Sequence, residues 1–336
     1  MKMIEKYNDD LHNPQWKFQL GPETYETKDT PQRVNTIKHH LLNDNAFERV
    51  TAKPYPERLI ARMHPYHDFI KKTSESITRA GEEIYPDLFP GEGAHLRQRL
   101  DNPLWGGIWC TDAVTPIMKK TFEVARASAE CALLGADILL EASERAVYAL
   151  CRPSGHHAGP RVFGGYCYFN NAAVAAEYLS QHGSVAVLDI DYHHGNGTQE
   201  FFYDRKFIFT ASIHADTEVE YPYYWGYAQE TGAGQGKQTN LNLPLPLKSD
   251  SHAYMQKVQT AVKAINQFAP DFFIISAGFD THKSDPIGGF TLETSDYTEI
   301  GGMLSDLSIP TLICQEGGYN INVLGECVYN FLKPFC

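Results

Sequence analysis

The chain has 336 residues, 43% of them apolar and 12% aromatic, which excludes a disordered polypeptide. Its 29 basic and 41 acidic residues leave a net charge of −12, which argues against a nucleic-acid partner and accommodates a cationic one. Seven cysteines, at 110, 131, 151, 167, 314, 327 and 336, form no Cys-x-x-Cys pair, so a reducing cytoplasm is expected rather than a disulfide scaffold or a thiolate zinc knuckle.

Met1 to Asp10 mixes charges and has no apolar stretch of the signal-peptide kind. No run reaches the roughly 18 apolar residues of a membrane span, so no membrane partner is expected. A helix is predicted from Pro31 through Leu42, because Pro suits a first helical turn. Residues 86–116, rich in Gly and Pro, read as a long inserted loop, and long loops in compact domains tend to be functional. Pro116 to Ala142 reads as one helix, with Phe122, Ala125, Ala129, Ala132 and Leu133 at helical spacing.

Five short apolar runs follow: Ala146–Leu150, Val185–Ile190, Phe207–Ile213, Phe272–Ala277 and Thr311–Cys314. They are too short for buried helices and rich in β-branched residues, so strands are predicted. Helices are predicted between them at 171–181, 251–268 and 294–306. The alternation implies a parallel sheet covered on both faces. One α/β domain is expected over residues 1–336.

Residues able to do chemistry cluster just past the strand ends, where open parallel sheets build ligand sites. The first strand leads into Arg152-Pro-Ser-Gly-His-His-Ala-Gly159, the second into Asp189-Ile-Asp-Tyr-His-His-Gly-Asn196. The strand ending at Ala277 leads into Gly278-Phe-Asp280, the last into Glu316-Gly-Gly-Tyr319. Asp191 and His193, two residues apart on extended chain, point to the same side. With Asp280 they form one imidazole and two carboxylates, a ligand set that suits Zn²⁺ or Fe²⁺ and leaves a coordination position open. His156 and His157 could divide acid and base duties. Asp189 and Asn196 are candidate partners for the two rings. A charged partner raises an imidazole pKa more than a neutral one, so the rings should differ in protonation. Tyr319, on a turn expected to be flexible, could donate to a developing oxyanion.

These motifs, with Gly164-Gly-Tyr-Cys-Tyr-Phe-Asn-Asn171, resemble the histone deacetylase superfamily over roughly residues 20–330. Within it the chain is most similar to the bacterial acetylpolyamine amidohydrolases. Asn196 stands where histone deacetylases carry Asp, Trp225-Gly-Tyr-Ala-Gln-Glu-Thr-Gly232 is similar to the amidohydrolase version, and the loop at 86–116 is extended. The resemblance implies an arginase-like three-layer α/β fold with about eight parallel strands. It implies zinc on Asp191, His193 and Asp280, a tandem acid–base pair at His156 and His157, and a carbonyl-polarising Tyr319. It also implies a structural K⁺ near Asp189, Asp191, the His193 backbone and Ser212. Tyr166 and Tyr221 would wall a narrow tunnel, with Gly165 and Ile287 beside the substrate. Arg33 matches an arginine at the floor of an acetate exit region.

Two positions depart from the family pattern. Trp109-Cys110-Thr111 stands where histone deacetylases carry a rim Asp beside Cys-Pro, and Ile287 stands where a eukaryotic-type polyamine deacetylase carries Glu. Glu92, Asp101, Asp112, Glu218 and Glu220 are then the candidates to select a distant ammonium. Leu88, Phe89, Leu96, Leu100, Leu104 and Trp105 would form an apolar patch if exposed, so a homodimer through 86–116 is expected. The expected activity is deacetylation of acetylated polyamines, diamines or similar small cationic amines, with His157 as base. The alternative is a protein lysine deacetylase using the same chemistry. A two-metal ureohydrolase needs more Asp ligands than are found, and a non-catalytic binder leaves the filled catalytic roles unexplained.

Overall fold

The computed structural model describes residues 1–6, 11–20, 23–85 and 107–336. Strand β1 (Lys2–Glu5) is followed by a hairpin of β2 (Lys17–Leu20) and β3 (Glu23–Glu26), then α1 (Gln32–Leu42), β4 (Glu48–Thr51), α2 (Arg58–Ala61) and α3 (His67–Ser76). Next come β5 (Glu83–Ile84), β6 (Ile117–Met118), α4 (Thr121–Leu140), β7 (Ala146–Ala149), α5 (Asn171–Leu179) and β8 (Val185–Asp189). The remainder is α6 (Asn196–Phe202), β9 (Ile208–Ala215), β10 (Asn240–Leu245), α7 (Ser251–Phe268), β11 (Phe272–Ala277), α8 (Asp296–Ser305), β12 (Thr311–Gln315) and α9 (Leu324–Leu332).

Eight strands form one sheet in the order β10-β9-β8-β11-β12-β7-β1-β4, and all its pairings are parallel. Successive strand side chains point to opposite faces. Val147, Val187, Ile274 and Leu312 therefore pack with Phe69, Leu133 and Val174 of α3, α4 and α5. Their neighbours Tyr148, Leu188, Ile275 and Ile313 pack on the other face with Val34, Val258, Ile300 and Val328 of α1, α7, α8 and α9. Burial on both faces is why these strands read as continuous apolar runs rather than alternating ones.

The five predicted strands and the helices at Pro31, 171, 251 and 294 are present within a few residues of the expected limits. Three sheet strands were not legible as apolar runs. β1 and β4 are four-residue segments, KMIE and ERVT, and β10 reads NLNLPL. β4 and β10 are the two edges, where polar residues and a proline are tolerated. The helix expected from Pro116 begins instead at Thr121, because Ile117 and Met118 pair antiparallel with Ile84 and Glu83. That short ladder closes the base of the predicted insert. Leu88, Phe89, Leu96, Leu100, Leu104, Trp105, Glu92 and Asp101, and with them the dimer contact, lie outside the described residues. Among the described residues no helix is long and apolar enough to cross a membrane.

Candidate active site

The sheet carries its functional residues on the loops after β7, β8, β11 and β12, the rim expected from the sequence. The ligand atoms of Asp191, His193 and Asp280 lie within 4.8 Å of one another. His193 Nδ1 stands 3.3 Å from Asp191 Oδ1 and 3.1 Å from Asp280 Oδ2. Backbone donors hold the carboxylates: Gly317 N–H donates to Asp191 Oδ2 at 2.8 Å, and Tyr192 N–H to Asp280 Oδ1 at 2.9 Å. A Cβ on Gly317 would come within 2.5 Å of both Asp191 Oδ2 and Asp280 Oδ2, so only glycine lets the chain pass that close.

Two carboxylates this close and this buried need a cation or a proton between them. Burial, reinforced by the negative charge of Asp191, pushes Asp280 up to about 7. Burial alone would lower His193, but its bonds to Asp191 and Asp280 raise it to about 10. This donor set of one nitrogen and two carboxylate oxygens fits a divalent metal ion with an open coordination position. A second cluster, of His156, Cys167 and Glu316, is also close-packed. There Glu316 is occupied otherwise: it accepts N–H bonds from Gly155 at 2.6 Å and His156 at 3.2 Å, and the Ser276 hydroxyl at 3.2 Å. It anchors the tandem-histidine turn.

The two rings of that turn are 3.9 Å apart. His156 Nδ1 lies 2.8 Å from Asp189 Oδ2, and His157 Nδ1 lies 2.8 Å from Asn196 Oδ1. These are the two partners the sequence offered, now assigned one to each ring, and the protonation of the rings diverges. Burial disfavours charge on both. Asp189 and Asp191 overcome it at His156, raising that pKa well above the ordinary imidazole value. At His157, burial is joined by repulsion from His156 and His193, and the pKa falls well below it. His156 is thus held charged and His157 neutral with a free Nε2, the form a general base requires. Asn196→Asp puts a carboxylate against His157, which should raise its pKa by roughly 1 unit or more. The acidic limb of the kcat/KM–pH profile then moves to higher pH; an unmoved limb separates Asn196 from the protonation of the base.

Tyr319 follows Gly318, whose φ of +111° suits glycine. The turn is not loose, contrary to the sequence reading. Asp285 Oδ2 accepts the N–H groups of Tyr319 at 2.7 Å and Asn320 at 3.2 Å, while Oδ1 accepts that of Ile287 at 3.0 Å. Arg33 is buried, lies 4.5 Å from the Tyr319 ring centroid, and donates to the carbonyls of Gly318 at 2.6 Å and Glu316 at 2.5 Å. Asp285 was invisible as a positioning residue, since an Asp-Pro step reads as an ordinary turn signal.

A cavity of about 130 Å³ opens onto this cluster, lined by Asp112, Val114, His157, Gly165, Tyr166, His193, Tyr221, Ile287 and Tyr319. All four predicted substrate-contacting residues are among them. Gly165, at φ +57°, lies so close to the His157 ring that a Cβ would collide with it. A carboxylate does reach the channel despite the departure at Trp109-Cys110-Thr111. Asp112 faces inward, however, with acceptor bonds from Gly165 N–H at 2.5 Å, Val114 N–H at 2.8 Å and Thr115 Oγ1 at 3.1 Å. It braces the wall. Glu220 accepts from the Tyr192 hydroxyl at 3.0 Å. Ser212 pairs in register with Asp189, and its hydroxyl lies 2.8 Å from His214 Nδ1.

The histone deacetylase domain matches residues 27–334. The chain belongs to the histone deacetylase family. It is 45% identical to acetylpolyamine amidohydrolase 2 of Pseudomonas aeruginosa, over 99% of this chain and 98% of that one. It is 42% identical to the acetylpolyamine amidohydrolase of Mycoplana ramosa, over 99% of both. A crystal structure of acetylpolyamine aminohydrolase from Burkholderia pseudomallei superposes with a TM-score of 0.92 at 33% identity, covering 100% of this chain and 98% of that one. As a member of this family of metal-dependent enzymes, the chain is a deacetylase, and its eight-stranded sheet is the arginase/deacetylase fold.

Proposed function

We propose that this deacetylase removes acetyl groups from acetylated polyamines or diamines, with a single zinc ion on Asp191, His193 and Asp280. The observation that carries the substrate is the cavity of about 130 Å³, in which Tyr166 and Tyr221 share the lining with His157, His193 and Tyr319. Aromatic walls bury the methylenes of an extended chain and tolerate a cation nearby. The full-length similarity to enzymes named acetylpolyamine amidohydrolases supports the same reading.

When bound, the ion supplies Lewis acidity toward the amide carbonyl and lowers the pKa of a water beside it. The chain's own residues do the rest. His157 Nε2 takes a proton from the attacking water. The positive charge held on His156 by Asp189 favours negative charge developing beside it, and one of the two rings returns a proton to the leaving amine. Tyr319 donates its O–H to the oxygen on which that charge develops. Tyr166 and Tyr221 hold the alkyl chain in line.

A structural K⁺ near Asp189, Asp191 and Ser212, a homodimer through 86–116 and a cytoplasmic location complete the proposal. The location is supported by seven cysteines, none in a disulfide; the dimer by the apolar residues of that segment.

The test compares kcat/KM for acetate release from acetylputrescine, acetylcadaverine and acetylspermidine with that from an acetyl-lysine peptide. A preference of about ten-fold or more for the free amines, worth about 1.4 kcal/mol in the transition state, is expected. A preference for the peptide would make this a protein lysine deacetylase.

A further inference from the structure

Tyr166 is an unusual wall. Its φ is +64°, a left-handed conformation that a bulky aromatic residue adopts only when its surroundings impose it. Its N–H donates to Thr115 Oγ1 at 3.0 Å. On the channel side its ring meets Tyr319 at 5.8 Å and 60°. On another side lies Trp16, stacked at 6.5 Å and 26°.

Trp16 lies before residue 27, where the family domain begins. It is nonetheless tied to the site. The Thr27 N–H donates to the Trp16 carbonyl at 3.3 Å and closes the β2–β3 hairpin. Four residues earlier, the His12 carbonyl accepts from Arg152 Nη2 at 2.8 Å, and Arg152 opens the tandem-histidine segment. Gln15 N–H donates to Glu83 Oε1 at 2.5 Å, beside the ladder that bases the insert. The N-terminal arm thus reaches Tyr166 at its ring face through Trp16.

We propose that Trp16 is a specificity-determining residue that acts through Tyr166: it backs the ring, keeps the channel narrow, and so favours unbranched amines over wider ones. This rests on the proposed activity. Trp16 acts on the site through the ring of Tyr166, so its removal should change which substrate enters and leave the chemical step intact. Stacked aromatic pairs are worth a factor of about 2 to 12.

The experiment uses the full-length, metal-loaded enzyme with acetylputrescine and the wider N-acetylcyclohexylamine. In Trp16→Ala, KM for acetylputrescine rises and the preference over N-acetylcyclohexylamine narrows, each by about 2- to 12-fold, while kcat stays within about two-fold. Trp16→Phe, which keeps a planar ring, restores both. If Trp16→Ala melts early, Trp16→Leu takes its place, keeping apolar volume without a stacking plane. An unchanged preference in a folded variant overturns the proposal, as does a fall in kcat at constant KM. Wild-type enzyme inert toward acetylputrescine would overturn the polyamine reading itself, a result seen before any variant is made.

Discussion

Tyr319→Phe should lower kcat by about 100- to 1,000-fold, because one oxyanion donor in a dry site contributes about 3–4 kcal/mol to the transition state. The phenol is well placed for this. Burial raises its pKa well above the ordinary tyrosine value against the opposing pull of the Arg33 guanidinium, and the negative charges of Asp280 and Asp191 act with burial. The hydroxyl therefore stays protonated through neutral pH and can only donate. Its backbone is held by Asp285 and its ring faces Arg33, so losing one oxygen leaves the turn intact. The proposed metal ligands are Asp191, His193 and Asp280, all of which the substitution leaves in place. Metal content by elemental analysis should match wild type, and KM should change little. Near-normal turnover in that variant would remove Tyr319 from the mechanism.

Loss of one proposed metal ligand should have a larger effect still. Asp280→Ala leaves Asp191 and His193 to bind the ion, and deacetylation should fall by at least about 10³-fold, since the activation of water and carbonyl both depend on that ion. Elemental analysis should show the variant empty under conditions that load wild type. Removing metal from wild type with a chelator should also lower thermal stability. A ligand at 100 times its Kd contributes about 2.7 kcal/mol to folding, and that contribution disappears with it. The pH dependence follows from the protons that these residues hold in the absence of metal. Asp280, raised to about 7, and His193, raised to about 10, hold protons there that a metal must displace. Binding releases protons, so affinity should rise with pH through that interval and fall below pH 7. An affinity indifferent to pH would mean that the ion sits elsewhere.

Much of the site was legible because its residues lie close together in sequence. Asp191 and His193 share one strand-end segment, and His156 and His157 are adjacent. Their spacing is local geometry, which the chain carries wherever it folds. Asp189 and Asn196 were foreseen as partners of the two rings because both flank the proposed ligand segment, but which ring takes which partner was decided by the fold, where His156 meets Asp189 and His157 meets Asn196 across two loops. Asp285, Glu316 and Trp16 were not assigned their positioning roles. Each acts on a partner distant in sequence: Asp285 on Tyr319, Glu316 on Gly155 and His156, Trp16 on Tyr166. No periodicity or spacing connects such pairs.

The same division runs through the fold. Strands at the centre of the sheet are apolar on both faces and declare themselves in sequence. β4 and β10, at the edges, are polar or carry proline, because an edge needs neither a full ladder nor two dry faces. The start of α4 was misplaced because Ile117 and Met118 pair with a segment more than thirty residues earlier. By itself, then, the sequence determined the fold class and the family and named the residues that the fold gathers at one rim, all of which depend on short-range pattern. The tertiary structure decided the protonation of the two histidines, the firmness of the Tyr319 turn and what stands behind the channel wall. Each of those depends on burial and on contacts between distant segments, and neither exists until the sheet has brought the loops together.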